Sequence, residues 1–424
     1  MTTPAAQKIF DTLTRKTDPD PDLPDAAQAA EPGNFLRHIW SLGASKLADG
    51  LIDPKLVLSW LLSQLGAGAF WVGLLVPVRE AGALLPQLLV TPVISRAKLR
   101  KYFWAGGALV QGAAAAGIAL VGLTQEGAVA GGLIIALLAL LAVARSVCSA
   151  SYKDVLGKTV GNSRRGTAMG LASSTGAVGV ILFALVLMSG FGDRYVIVIA
   201  AIFLAAAFWL VSGLVFFRLD ETPSEPAEMD LKRASFGLLR AEPQLRRFIL
   251  TRSLLIGTAL APPYLVLLDA AGGLGELGAL VLASALASLL SSFVWGRLSD
   301  VSSRLVLILA GCGGGGVLVA TVALHLVGLT AVPLVLPALL FGLMIAHHGV
   351  RQGRNTQLVD MADEDQRTAF TALSNTIVGL VLIAGGALFA GIAAFSVPLV
   401  LGLFGGMCFG AAMLATGLEK VQND

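Results

Sequence analysis

Charge is distributed so unevenly along this chain that few folds remain open to it. From Tyr102 to Ala144 the only charged residue is Glu126, and the stretches Leu305 to Val350 and Thr368 to Leu418 carry none. Lysine and arginine cluster between these apolar stretches, each of which is roughly forty to fifty residues long. A bilayer-crossing helix takes about 20 apolar residues, so each stretch is sized for two spans and a tight turn. One apolar region breaks the pattern. Between His38 and Ser95 lie Lys46, Asp49, Asp53, Lys55, Arg79 and Glu80.

Only 13% of the 424 residues are charged and 56% are hydrophobic. Soluble domains are about a quarter charged, so this chain lacks the polar residues to cover a soluble surface. It reads as an all-α membrane protein whose first partner is the lipid bilayer, and the 49 glycines suit close packing of membrane helices. The net charge of +3 gives no sign of a nucleic-acid partner. Cys148, Cys312 and Cys408 are far apart in apolar segments and read as packing residues. There is no phosphate-binding GxxxxGKS loop, metal-spaced His/Cys cluster or nucleophile elbow. No cofactor, metal or enzymatic activity is therefore expected. Gly311 and Gly313 to Gly316 read as close packing or a pivot inside a span. No apolar segment precedes residue 36, so no cleaved signal peptide is expected.

Twelve spans are expected, at roughly 39–63, 69–93, 102–123, 128–148, 166–189, 195–217, 247–269, 275–297, 304–327, 331–350, 368–391 and 395–417. With both termini in the cytoplasm, Arg194 is the one Lys or Arg of an outside loop, in agreement with the positive-inside rule. The expected location is a bacterial inner (plasma) membrane. Residues 1–35 read as a disordered cytoplasmic tail and 36–217 as a six-helix bundle. Residues 218–246 read as a linker with a short interfacial helix bearing Leu231, Ala234, Leu238 and Leu239 on one face, and 247–424 as a second bundle with a short tail. The halves repeat. The segment from Arg165 aligns with that from Arg367, Arg100 with Arg304, and Pro54 approximately with Pro262. Two six-span halves in the same orientation are a parallel repeat.

Residues Gly296-Arg-Leu-Ser-Asp-Val-Ser-Ser-Arg304, between the eighth and ninth spans, resemble the loop motif of the major facilitator superfamily. The resemblance covers residues 36–418. It implies two six-helix bundles rocking around a midplane site, with Gly296 allowing close helix approach and Asp300 and Arg304 forming a cytoplasmic gate. Arg145 looks like the arginine of a second motif, which the superfamily associates with coupling. The first-half loop departs from the pattern, with Arg96 where the acid should be, and the fifth span lacks the proline of the antiporter motif.

At 100° per residue Lys46, Asp49, Asp53, Trp60 and Gln64 share one face of the first span. A charge at mid-bilayer costs about 3 kcal/mol on insertion scales, so this stripe must face water or paired charge. Asp49, Asp53 and Glu80 are the candidate proton carriers, with Arg145 beside them. Lys46, Trp60, Gln64, Arg79, Gln87, Tyr264 and Asn375 are the candidate substrate contacts. Pro54 is expected to break the first span beside the two aspartates. Alternatively, Lys46 simply neutralises an aspartate. The seventh span, matched through Pro262, has Gly257 and Ala261 where Asp49 and Asp53 stand, which predicts a charged first half and a mild second half.

The expectation is a monomeric, proton-coupled secondary transporter of a small organic solute. A non-transporting assembly protein with a sealed, charge-paired interior is one alternative. A lipid or amphiphile transporter with a lateral opening between the fifth and eighth spans is another.

Overall fold

The computed structural model describes residues 4–14, 23–225, 237–270, 276–361 and 367–419. Among them twelve spans form two six-helix bundles. The first bundle holds Asp25–Leu51 with Val57–Gln64, Ala69–Leu84 with Gln87–Ser95, Lys101–Thr124, Gly127–Thr159, Asn162–Met188 and Arg194–Phe217. The second holds Pro243–Leu260 with Pro262–Ala270, then Leu277–Leu326, Val335–Asp360, Arg367–Ala393 and Val397–Ala415. Leu277–Leu326 contains both the eighth and ninth spans, divided at extended Ser302, whose hydroxyl caps the ninth by accepting from Leu305 N at 3.2 Å. Helices suit lipid because they satisfy their own backbone groups.

Nine helices among the described residues are long and apolar enough to cross a membrane. Three of the twelve spans are not among the nine: the first and tenth, each of which gives one face to polar residues, and the eighth, whose apolar stretch Leu277–Ser291 is short. The outer surface is apolar, with Val178, Leu182, Leu204, Leu214, Leu290 and Leu388 exposed. Such a surface is covered by lipid rather than water. The chain is an integral membrane protein.

Three spans are discontinuous, each at proline. The first breaks over Ile52 to Leu56 around Pro54, the second at Pro86 and the seventh at Ala261 before Pro262. Proline has no N–H and its ring crowds the preceding turn. At the first break the carboxylate of Asp53 accepts from Lys55 N at 2.7 Å, and the hydroxyl of Ser59 donates to Pro54 O at 2.9 Å.

The bundles share a core at one face of the molecule only. A single apolar cluster runs from Leu56, Trp60 and Leu61 of the first span to Leu260, Tyr264 and Leu265 of the seventh. Close approach there requires glycine. A Cβ at Gly73 would meet Tyr264 Oη at 2.7 Å and Ala390 Cα at 3.0 Å, and one at Gly386 would strike the Pro77 ring. At the opposite face, which carries the basic loops, the cores are separate. Trp104, Cys148 and Phe216 pack within the first bundle, and Phe248, Leu307 and Phe370 within the second.

Where residues 1–35 are described, they are mainly helical instead of the disordered tail expected. Pro4–Thr14 is a helix and the first span starts at Asp25. Phe10 meets Phe35 edge-on at 5.3 Å and lies under the guanidinium of Arg164, which also pairs with buried Glu31. An aromatic residue and a buried acid thus order a segment whose composition alone suggested disorder. The expected interfacial helix falls mostly outside the described residues. Its end, Gly237–Ala241, packs Leu238 and Leu239 on the second bundle's basic-face core.

Candidate substrate cavity

Between the bundles lies a cavity of about 590 Å³, within the range of small-molecule sites. Its first-bundle wall starts from Asp49. One carboxylate oxygen accepts from Arg79 at 2.9 Å and the other from Arg145 at 2.8 Å, tying the first, second and fourth spans together. Arg145 also donates to Ser45 Oγ at 3.1 Å. Asp53 lies on the same wall at the helix break and has no ion pair among the described residues. Glu80 lines the cavity from the second span, with Lys55, Arg354, Arg79 and Arg351 acting on it electrostatically.

A hydrogen-bond chain crosses to the second bundle. Lys55 Nζ lies 3.1 Å from His347 Nε2, and His347 Nδ1 lies 3.2 Å from the hydroxyl of Thr258. That hydroxyl donates to Leu255 O at 2.9 Å, so it accepts from His347 Nδ1–H, leaving Nε2 to accept from the ammonium. One tautomer of His347 therefore completes a chain between the seventh and tenth spans and the break in the first.

The second-bundle wall is not mild, contrary to the expectation from the seventh span. Arg252, Arg351 and Arg354 line it together with His347 and His348, and among the described residues it contributes no carboxylate. Arg252 is 6% exposed and donates to Ser374 Oγ at 2.5 Å and Asn375 Oδ1 at 3.3 Å, both neutral acceptors. The tenth span continues to Asp360, past the expected end at 350, and so carries its arginines on the helix instead of in a loop. Met344, His347, Arg351 and Arg354 recur at helical spacing, and that periodicity was the available signal.

The other expected residues divide. Asn375 orients Arg252 rather than lining the cavity. Lys46 stands one turn before Asp49, its stem against Gly176 of the fifth span, and is not part of the wall. Trp60, 3% exposed, and Gln64 lie beyond the break at Pro54 and line a separate pocket of about 390 Å³ with Gly190 to Tyr195 at the sealed face. A continuous helical wheel fails there because the helix itself is interrupted. Tyr264 belongs to the sealing core, 5.8 Å from Phe404, and Gln87 is not among the lining residues. His325 bonds Thr330 at 3.1 Å.

The loop motif also differs from expectation. A Cβ at Gly296 would meet nothing within 4 Å, and the close approach is instead at Gly349 of the tenth span, against Trp295. Asp300 is exposed and has no ion pair among the described residues, while Arg304 donates to Leu418 O at 3.2 Å. In the first half, where Arg96 replaces the acid, two other carboxylates organise the loop. Asp154 pairs with Arg100 at 2.5 Å and with Lys158. Glu221, whose side chain is fully buried, accepts from the backbone N–H of Arg100 at 3.0 Å and of Lys101 at 2.8 Å, capping the third span from the linker.

No family model and no curated sequence matches the chain. Solved structures do. The chain is similar to a D-xylose–proton symporter, with a TM-score of 0.69 and 11% identity over 92% of this chain and 98% of that one. It is similar to the nucleoside transporter NupG, with a TM-score of 0.66 and 14% identity over 91% of this chain and 100% of that one. The inward-open xylose transporter XylE from E. coli gives a TM-score of 0.66 and 11% identity over 90% and 95%. With two parallel six-helix bundles enclosing one polar cavity, this chain has the major facilitator fold.

Proposed function

We propose that this protein is a secondary transporter of a small solute, working by alternating access with its termini in the cytoplasm. One observation carries the reading: the cavity takes polar walls from both bundles, which share an apolar core at one face and part at the other. Bundles joined at one end can rock about a site between them. Structures of the same fold named as a proton symporter and a nucleoside transporter support it. Against a sealed, charge-paired interior, which a purely assembling protein would favour, speak the volume of the cavity and the neutral partners of Arg252. The fifth and eighth spans touch at the sealed face, where a Cβ on Gly278 would lie 2.7 Å from Met188 Cγ, giving no lateral gap for an amphiphile at that point.

Proton coupling is assigned to Asp53 with Glu80. Asp49 holds Arg79 and Arg145 in place, whereas Asp53 stands on the cavity wall at a broken helix, accepting from one backbone N–H. Proteoliposomes given a pH gradient and labelled solutes of varied charge test both parts. Gradient-driven accumulation is expected, with Asp53→Asn retaining exchange and losing accumulation. Accumulation that survives collapse of the pH gradient would sink the coupling. If no solute moves and spin-label distances across the cavity stay fixed, the transporter reading fails.

A further inference from the structure

The cavity walls carry an unequal charge count. Lys55, Arg79, Arg145, Arg252, Arg351 and Arg354 face it, against Asp49, Asp53 and Glu80. Six cations against three carboxylates leave a formal surplus of three positive charges. The surplus is one-sided: among the described residues the second-bundle wall has three arginines and no acid. No ion pair joins Arg252, Arg351 or Arg354 to another described residue. Arg252 is held by the hydroxyl of Ser374 and the amide of Asn375, which fix its direction without cancelling its charge, and its Nε is buried without a hydrogen-bond partner. Arg354 Nε is likewise buried and unsatisfied. Glu80 of the first bundle acts on Arg354 and Arg351 across the cavity, whereas Arg252 has only neutral partners among the described residues. An uncompensated charge within the bilayer is expensive, and a guanidinium fork matches planar or tetrahedral oxyanions. Beside the arginines, Val378, Leu382, Leu255 and Met344 supply an apolar surface.

We propose that the solute is a small organic anion whose carboxylate or phosphate group is held by Arg252, Arg351 and Arg354, with its apolar part on the adjoining wall. This rests on the transporter reading above. It also gives the two walls different tasks, with the proton on the carboxylates of the first bundle and the anion on the arginines of the second.

Charge-matched probes test it on the purified full chain. Sulfate and inorganic phosphate are compared with chloride at equal ionic strength, succinate with succinamide, glycerol 3-phosphate with glycerol, and choline serves as the cation. Thermal stabilisation and uptake into proteoliposomes are both read. The expected result is that an oxyanion stabilises the protein at least tenfold more potently than its neutral twin. Arg252→Gln and Arg354→Gln should each weaken this tenfold or more, with partial recovery in Arg252→Lys. The carboxylate and phosphate arms then name the anionic group. Failure of every oxyanion to stabilise, equal response to a neutral twin or choline, or undiminished anion binding in the glutamine variants overturns the proposal. If the glutamine variants do not fold, the ranking of probes on the parent protein decides. Uptake of a neutral solute without anion binding removes the anion and leaves the transporter. Anion binding with no solute movement and rigid bundles removes the transporter instead.

Discussion

The two walls of the cavity handle buried charge in opposite ways. In the first bundle each guanidinium finds a carboxylate: Arg79 and Arg145 both end on Asp49. In the second bundle Arg252 ends on a serine and an asparagine, and among the described residues Arg351 and Arg354 have no acid within their own wall. The first arrangement is a brace that stabilises the fold. The second orients charge without neutralising it, which is the condition for a site whose counter-charge arrives with a ligand. Similar residue types thus do different work, and the identity of their partners separates the two roles.

The sharpest way to break that contrast is to remove the brace. Asp49→Asn takes from two half-buried guanidinium groups the carboxylate both pair with. The expected loss is about 2–3 kcal/mol, below the value for a fully buried pair because both partners retain some solvent contact. Equilibrium unfolding in mixed micelles measures it, and a variant as stable as the parent would mean the brace is idle. Next is the seal that joins the walls. Gly386→Val drives a side chain into Pro77, and overpacking of this kind costs about 1–3 kcal/mol. Because that contact exists only where the bundles share a core, the variant should also move spin labels at the sealed face apart. Unchanged distances would show that the seal is elsewhere.

A smaller effect is expected at the basic face. Glu221→Gln replaces a charged acceptor of two backbone N–H groups by a neutral one, costing about 1–1.5 kcal/mol. It should leave the affinity for solute intact, since Glu221 is remote from the cavity wall. The smallest change belongs to the second wall. Arg252→Gln loses two hydrogen bonds but relieves an unpaired buried charge, so its stability should stay within about 1 kcal/mol of the parent. A loss as large as that of Asp49→Asn would make the two walls alike and erase the comparison.

Much of the fold was legible in the sequence because lipid leaves little latitude. A charge-free stretch of forty to fifty residues has to become two spans, and Pro54 breaks the first span as its missing N–H leads one to expect. Part of the cavity was legible for the same reason, since Asp49, Asp53, Arg79 and Glu80 cannot face lipid. The second wall was missed because Arg351 and Arg354 sit where the positive-inside rule expects loop anchors, although their helical spacing with Met344 and His347, on a helix that runs to Asp360, makes them wall residues. Trp60 and Gln64 were misplaced because helical periodicity was carried across a proline break. Gly296 matched a motif but has open space around it, while Gly349, outside the motif, makes the close contact.

By itself, then, the sequence determined that this chain lives in a membrane, that it repeats, and that its first half buries charge. Those conclusions follow from the cost of placing charge in hydrocarbon, which acts locally and can be read residue by residue. Which charges are spent on one another, and which keep only neutral partners, was decided by tertiary structure alone. Ion pairing depends on distances of about 3 Å between residues such as Asp49 and Arg145, and a linear pattern does not contain them.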